Sequence, residues 1–308
     1  MANLKISVSP HIHSGRSTMG IMRDVLISLA PASVAGCIIF GWRAIVVLAV
    51  CVASSVLFEF LFNLIAKRER TVDDLSAAVT GLLLGLNLPA NIPIWQCVIG
   101  SLFAIVVVKC IFGGIGNNIV NPAIAARVFM LVAFSSVAKS AFPTIVDTTS
   151  TATPLAEMAD GKAPDLLSLL LGTTGGAIGE TCAIALIVGF IYLLVRGIIS
   201  WHIPVSFVGT VFVLSFLIGG FDIIEAVAMI LSGGLLIGAI FMATDYVTSP
   251  TTWPGKLIFG FGAGLITVLI RYFGSYPEGV SFAILFMNIL TPYIDVLTRH
   301  RVFGGEKK

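Results

Sequence analysis

Asp147, Ser150, Ala152 and Thr153 stand in one run, Asp147-Thr148-Thr149-Ser150-Thr151-Ala152-Thr153-Pro154-Leu155. It gathers Ser/Thr hydroxyls at Thr148, Thr149, Ser150, Thr151 and Thr153 beside a single carboxylate. The run lies in the longest polar interval of an otherwise greasy chain, residues 140–178. Pro154 biases Thr153 toward an extended backbone, which presents its side chain outward. Polar loops on a rigid scaffold carry chemistry more often than their share. A Ser/Thr/Pro linker between two bundles has the same composition, so the run alone leaves both readings open.

Two further polar clusters interrupt apolar stretches. One runs through Gly113-Gly114-Ile115-Gly116-Asn117-Asn118 to Asn121-Pro122; the other runs from Asp245 to Thr248-Ser249-Pro250. Pro is tolerated in a first helical turn, where its missing N–H is not needed. A helix N-terminus facing a cavity can hold an anionic or polar group. Irregular backbone at membrane depth survives only when buried in protein or lining water. Asn117, Asn118, Asn121, Asp245, Thr248 and Ser249 are therefore candidates for a polar binding site, with ordinary loop capping as the other reading.

Ionisable residues inside apolar stretches are costly and mark either function or structural pairing. Glu59, Arg127, Glu180, Glu225 and Asp295 qualify, and a Glu59–Arg127 pair is one arrangement the sequence allows. Cys37, Cys51, Cys97, Cys110 and Cys182 show no C-x-x-C spacing. They support neither a disulfide framework nor an iron–sulfur or zinc site. No cation cage of oxygen ligands is legible, so no metal site is expected.

The elements that must position these residues are hydrophobic. The chain has 308 residues, 57% hydrophobic and 11% charged, with a mean hydropathy of +1.03. Soluble domains carry about 25% charged residues. So little charge predicts an all-α integral membrane protein; the net charge of +2 gives no sign of a nucleic-acid partner. A spanning helix needs about 20 mostly apolar residues. Ten stretches qualify, at about 23–41, 43–66, 74–89, 93–113, 119–139, 179–199, 203–220, 222–243, 256–273 and 279–297.

Lys and Arg fall mostly in loops on one side of this arrangement, from Lys5, Arg16 and Arg23 to Lys307 and Lys308. The positive-inside rule then places both termini in the cytoplasm and the Asp147–Leu155 loop outside. The polar N-terminus, Met1 to Met22, carries no cleavable signal pattern. Thr80-Gly81-Leu82-Leu83-Leu84-Gly85 is echoed by Gly233-Gly234-Leu235-Leu236-Ile237-Gly238. Five spans per half is an odd number, so the second half must be inverted, a common plan for transporters with interrupted helices. The expected division is a cytoplasmic segment 1–22, a first five-helix repeat 23–139, an extracytoplasmic loop 140–178, a second repeat 179–298 and a cytoplasmic tail 299–308.

On these residues the chain resembles the membrane-protein family that includes the D component of the Rnf electron-transport complex. More distantly, it resembles the B component of the sodium-pumping NADH:quinone reductase. The resemblance covers nearly the whole chain. It rests on Ser9-Pro10-His11-Ile12-His13-Ser14-Gly15-Arg16, Asn121-Pro122-Ala123 with Arg127, Ile178-Gly179-Glu180-Thr181, and Met242-Ala243-Thr244-Asp245 through Ser249-Pro250. The short N-terminus is closer to the Rnf member. The family's flavin-attachment motif, Asp-x-x-Ser/Thr-Gly/Ala-Ala/Ser-Thr, is similar to Asp147, Ser150, Ala152 and Thr153 here, with Thr151 departing at the small fifth position.

The resemblance implies that Thr153 carries FMN through a phosphoester, made outside the cytoplasm by a flavin transferase using FAD and Mg²⁺. It implies a second, non-covalent flavin, riboflavin, near Asn117–Asn121 or Asp245–Ser249. The other Rnf components, A, B, C, E and G, are the implied partners. The implied activity is electron relay within a ferredoxin:NAD⁺ oxidoreductase, coupled to Na⁺ or H⁺ movement. No Gly-rich dinucleotide fingerprint occurs in a strand–helix setting, so NAD is expected on a partner. A channel or transporter for a small polar solute such as urea or ammonium fits the inverted plan equally well. Thr153 separates the two, since a solute channel has no use for a flavin-accepting threonine.

Overall fold

The computed structural model describes residues 17–68, 71–134, 137, 141, 153–159, 165–274 and 279–299. Among them the chain is helical and forms no β-strand; Ala141 and Gly176 meet in a single antiparallel bridge. The helices are α1 (Thr18–Phe40), α2 (Trp42–Ile65), α3 (Ser76–Leu86), α4 (Ile94–Cys110) and α5 (Pro122–Ala133). Two short helices follow, α6 (Pro154–Ala159) and α7 (Leu166–Leu171). The rest are α8 (Ala183–Val195), α9 (His202–Ile218), α10 (Ile223–Leu231), α11 (Leu235–Met242), α12 (Trp253–Phe273) and α13 (Val280–Thr298).

Each of the ten apolar stretches holds helix; α3, α4, α5, α8 and α9 are shorter than the sequence suggests, whereas α1, α2, α12 and α13 are as long as expected or longer. Among the described residues, α1, α2, α12 and α13 are long and apolar enough to cross a bilayer, and the bent pair α10–α11 makes a fifth if it is one span. Among the described residues of the stretch expected at 119–139, the helix spans Pro122–Ala133. Asn121 caps its start by accepting from the Ala123 and Ile124 N–H groups (3.0 and 3.3 Å), and Phe134 is already extended. The lower parts of α4 (Phe103–Cys110) and α11 (Gly238–Met242) widen into π-helical turns, a local form that recurs at functional sites.

The stretch at 222–243 is broken. α10 and α11 meet at 64°, and Gly233 between them has φ +65°, a left-handed conformation that glycine adopts at no steric cost. The orphaned carbonyls at the end of α10 are taken by Arg271 of α12. Its Nη1 donates to Met229 O (2.5 Å) and its Nη2 to Ser232 O (3.0 Å). A helix end left without such partners would be costly in an apolar setting.

α2 packs on α3 and α4, α1 on α8, α9 on α10 and α12, and α12 on α13, while α5 meets α13 across the two halves. Small residues permit the tight crossings, as expected where lipid supplies no hydrophobic drive between helices. A Cβ on Gly36 would stand 2.5 Å from Ile178 O, and one on Gly189 would collide with Ser28 O. Large apolar side chains such as Ile38, Leu64, Val195 and Leu297 point outward and are exposed. So much outward apolar surface would drive association in water; facing acyl chains it fits a multi-pass membrane protein.

Candidate functional site

A cavity of about 370 Å³ opens at the end of the bundle where α1 begins and α8 ends. Its wall is largely apolar, with Val25, Leu83 and Phe241 among its residues; the polar members include Ser76, Thr80, Lys109, Asn118, Asn121, Thr244 and Asp245. Both chain halves contribute. The volume lies in the range of about 300–1,000 Å³ that holds small-molecule ligands, and a few polar groups in an apolar wall are what orient one.

The expected polar candidates separate here. Asn118, Asn121 and Asp245 line the cavity. Asn117 does not: it is exposed and folds over Gly113, whose Cβ, if present, would lie 2.9 Å from Asn117 Nδ2. Thr248 and Ser249 are buried behind the wall. Thr248 Oγ1 donates to Asp245 Oδ2 (3.1 Å). Desolvation pushes the Asp245 carboxyl above its ordinary value, opposed by that hydrogen bond and by one from Val247.

The loop conformations are held by a clasp between the halves. Asn121 Nδ2 donates to Met242 O (3.2 Å). The Asn288 carboxamide takes the orientation in which its oxygen accepts from Asn121 N–H (3.1 Å) and its nitrogen donates to Thr248 O (3.2 Å). Thr291 Oγ1 also donates to Thr248 O (2.9 Å). Asn121 thus caps α5 with its side-chain oxygen and ties α5 to α11 with its side-chain nitrogen.

Buried charges are paired, though not as Glu59 with Arg127. Glu59 of α2 takes Lys109 of α4 (2.9 Å) and the Thr71 hydroxyl (2.8 Å) on one carboxylate oxygen. Lys109 is 3% exposed and also donates to Ser76 Oγ (2.5 Å). Lys109 lies in the π-helical end of α4 and is buried there, a feature invisible in the hydropathy pattern. Arg127 of α5 pairs instead with Glu180, just ahead of α8 (3.0 Å). The other two acids are partly exposed and make tertiary contacts: Glu225 of α10 accepts from Tyr272 of α12 (3.1 Å) and Asp295 of α13 from the Thr251 N–H (3.0 Å).

From the cavity floor a buried polar column leads inward. Asn87 Nδ2 donates to Leu83 O (2.7 Å) and approaches Met242 Sδ (3.6 Å), and Asn87 Oδ1 accepts from Arg127 Nη1 (3.4 Å). Arg127 reaches Glu180, and Glu180 lies against Gly234 at the α10–α11 break, where a Cβ would stand 2.8 Å from its Oε1. Sequence reasoning misses Asn87, Lys109, Ser76 and Asn288. The only signal for Asn87, Lys109 and Ser76 is a polar residue near the end of an apolar stretch; Asn288 lies mid-helix in α13.

Thr153 lies at the other end. Glu180 precedes α8 and the cavity is lined by residues at the far end of α8, about 20 Å away for a 13-residue helix. Thr153 is partly exposed and stands at the start of α6, its carbonyl accepting from the Glu157 N–H (2.9 Å). Leu155, two positions on, is buried against Gly233 at the break. Asp147, Ser150 and Ala152 lie outside the described residues, as does the segment Ser9–Arg16.

The family model described as "NQR2, RnfD, RnfE family" matches residues 5–304. The chain is 45% identical over 311 residues to the D component of the Na⁺-translocating ferredoxin:NAD⁺ oxidoreductase complex of Acetobacterium woodii, covering 99% of this chain and 96% of that protein. It is 40% identical over 320 residues to the D component of the proton-translocating ferredoxin:NAD⁺ oxidoreductase complex of Clostridium ljungdahlii, covering 98% and 96%. With the D component of an ion-translocating oxidoreductase complex of Escherichia coli the identity is 34% over 348 residues, covering 98% and 99%.

Proposed function

This chain belongs to the NQR2, RnfD, RnfE family, and from that premise we propose that it is the D-type membrane component of an Rnf complex. In this reading it serves a ferredoxin:NAD⁺ oxidoreductase that couples electron flow to Na⁺ or H⁺ translocation. FMN is joined to Thr153 outside the cytoplasm, with Asp147, Ser150 and Ala152 as the rest of the attachment motif. Partner proteins hold NAD and the iron–sulfur centres. The two halves, 23–139 and 179–298, form inverted five-span repeats with both termini cytoplasmic. Support for the repeats comes from the cavity drawn from both halves and from the placement of Asn121-Pro122 and Asp245–Pro250 beside it.

The observation that carries the reading is Thr153 itself. It is partly exposed at the head of a short helix, on the side of the bundle away from the cavity. A threonine hydroxyl is a weak nucleophile and gains reactivity from an external base and metal, so the chain need only present it to a transferase. Tethering keeps a soluble cofactor from being lost to the outer medium. Bound flavin supplies one- and two-electron transfer; the protein supplies position and electrostatics.

The residues around the cavity suit riboflavin. Lys109, held by Glu59 and Ser76, would place a cation beside a flavin bound there. Asn118, Asn121 and Asp245 offer donors and acceptors for the ring edge and the polyol, and Phe241 and Leu83 exclude water. The Asn121–Asn288–Thr248 clasp fixes these groups before a ligand arrives.

The test is flavin fluorescence in a denaturing gel after coexpression with the flavin transferase. Wild type is expected to fluoresce and Thr153→Val to be dark. A fluorescent Thr153→Val removes the assignment of that residue. A dark wild type, with the transferase active on a control substrate, favours the small-solute channel.

A further inference from the structure

We infer that Leu155, seated at Gly233 in the α10–α11 break, is the anchor that sets where a flavin on Thr153 sits. The inference rests on the assignment of Thr153 as the flavin-bearing residue. α6 spans only Pro154–Ala159, far below the length at which a helix is stable by itself. Its place must come from tertiary contacts. Leu155 is 7% exposed, though it stands two positions from a partly exposed threonine.

The seat is a gap where a side chain is missing. A Cβ on Gly233 would lie 2.9 Å from Leu155 Cδ1 and 3.3 Å from Arg271 Nη2. The φ of +65° at Gly233 independently favours glycine there. Arg271 keeps the gap in place, because it bonds the terminal carbonyls of α10 at Met229 and Ser232. Glu180 closes on the next residue, Gly234, and so links the seat to Arg127 and the polar column.

Leu155 transmits this placement to Thr153 over a short, rigid path. The Thr153 carbonyl accepts from Glu157 N–H (2.9 Å), closing the first turn of α6 around Leu155. A phosphoester adds several freely turning single bonds between the threonine and the ring. Fixing the Thr153 backbone removes the motion that would otherwise be added ahead of all of those bonds. Leu155 is thus a positioning residue, acting through the backbone of its own turn, and Gly233 is its receptor.

The test uses the full chain coexpressed with the transferase. A denaturing gel reports attachment, and time-resolved flavin anisotropy in the native, detergent-solubilised protein reports freedom of the ring. Wild type and Leu155→Met are expected to hold the ring in a slowly rotating population. Leu155→Ala should keep the gel band and lose at least half of that population. Gly233→Ala, which fills the seat, should do the same and decides the matter if Leu155→Ala is not flavinylated. Leu186→Ala, a core truncation in α8, should lower the melting temperature without freeing the ring. Wild-type anisotropy in flavinylated Leu155→Ala or Gly233→Ala overturns the anchor while leaving Thr153 assigned. A dark wild-type gel overturns the Thr153 assignment and, with it, the anchor.

Discussion

Arg127 on α5 and Glu180 ahead of α8 meet at 3.0 Å with both side chains almost fully buried. One belongs to the first apolar half and the other opens the second, so this pair joins the two across the centre of the bundle. Burying either charge alone costs far more than burying both together. Arg127→Met leaves the Glu180 carboxylate without its cation and is expected to cost about 3–5 kcal/mol. Arg127→Met with Glu180→Leu should recover most of the loss. Thermal unfolding in detergent checks this; a double variant no more stable than the single one would show that the pair is not what the fold depends on.

Lys109 is the cation of the cavity wall, and Glu59 and Ser76 hold it there. Lys109→Met paired with Glu59→Gln keeps the buried charge balanced while removing the cation. It is expected to lower retention of non-covalent flavin about tenfold, or ~1.4 kcal/mol. Covalent flavin on Thr153 should be unchanged. Counting flavin released by acid against flavin retained by the chain measures both quantities in one sample.

Asp245 gives the cavity a pH dependence. Desolvation raises its carboxyl above the ordinary value, so ionising it costs more in the folded protein than in the unfolded chain. Its contribution to stability is present below the unfolded carboxylate pKa and is lost as pH rises through the raised value. Asp245→Asn removes the ionisation. As pH rises above the ordinary carboxylate range the melting temperature of wild type should therefore fall relative to that of Asp245→Asn, and parallel profiles would contradict this.

Gly189 and Gly209 form a matched pair of glycines. A Cβ on Gly189 would strike Ser28 O and the Phe241 ring, whereas one on Gly209 would meet nothing within 4 Å. Gly189→Val should push α8 off α1, deform the cavity at Phe241 and sharply reduce folded protein. Gly209→Ala should be neutral or stabilising by up to about 1 kcal/mol, the usual helix-interior difference. Yield of monodisperse protein and its melting temperature distinguish them.

Hydropathy locates the helical stretches, because a run of apolar residues is legible whatever it packs against. It does not locate the break at Ser232–Gly234, since Gly-Gly within Leu and Ile is equally at home in a tight helix crossing. Nor does it reveal that Lys109, in the π-helical end of α4, turns inward. The Glu59–Arg127 pairing fails for the same reason: partners across a bundle are chosen by helix rotation, which a linear pattern with little amphipathic contrast does not encode. Asn118, Asn121 and Asp245 are legible because polar residues beside Pro and Gly stand out in an apolar chain. Asn117 shares that signature but turns outward over Gly113. Asn288 lacks it, lying mid-helix in α13, and only the fold brings it to Asn121.

The most direct measurement is the mass of the proteolytic peptide containing Thr153 from protein purified out of its native host. The expected result is FMN joined through its phosphate to Thr153, with fragmentation placing it on that hydroxyl. An unmodified Thr153 peptide, in a preparation whose partner proteins are present and active, would contradict the account.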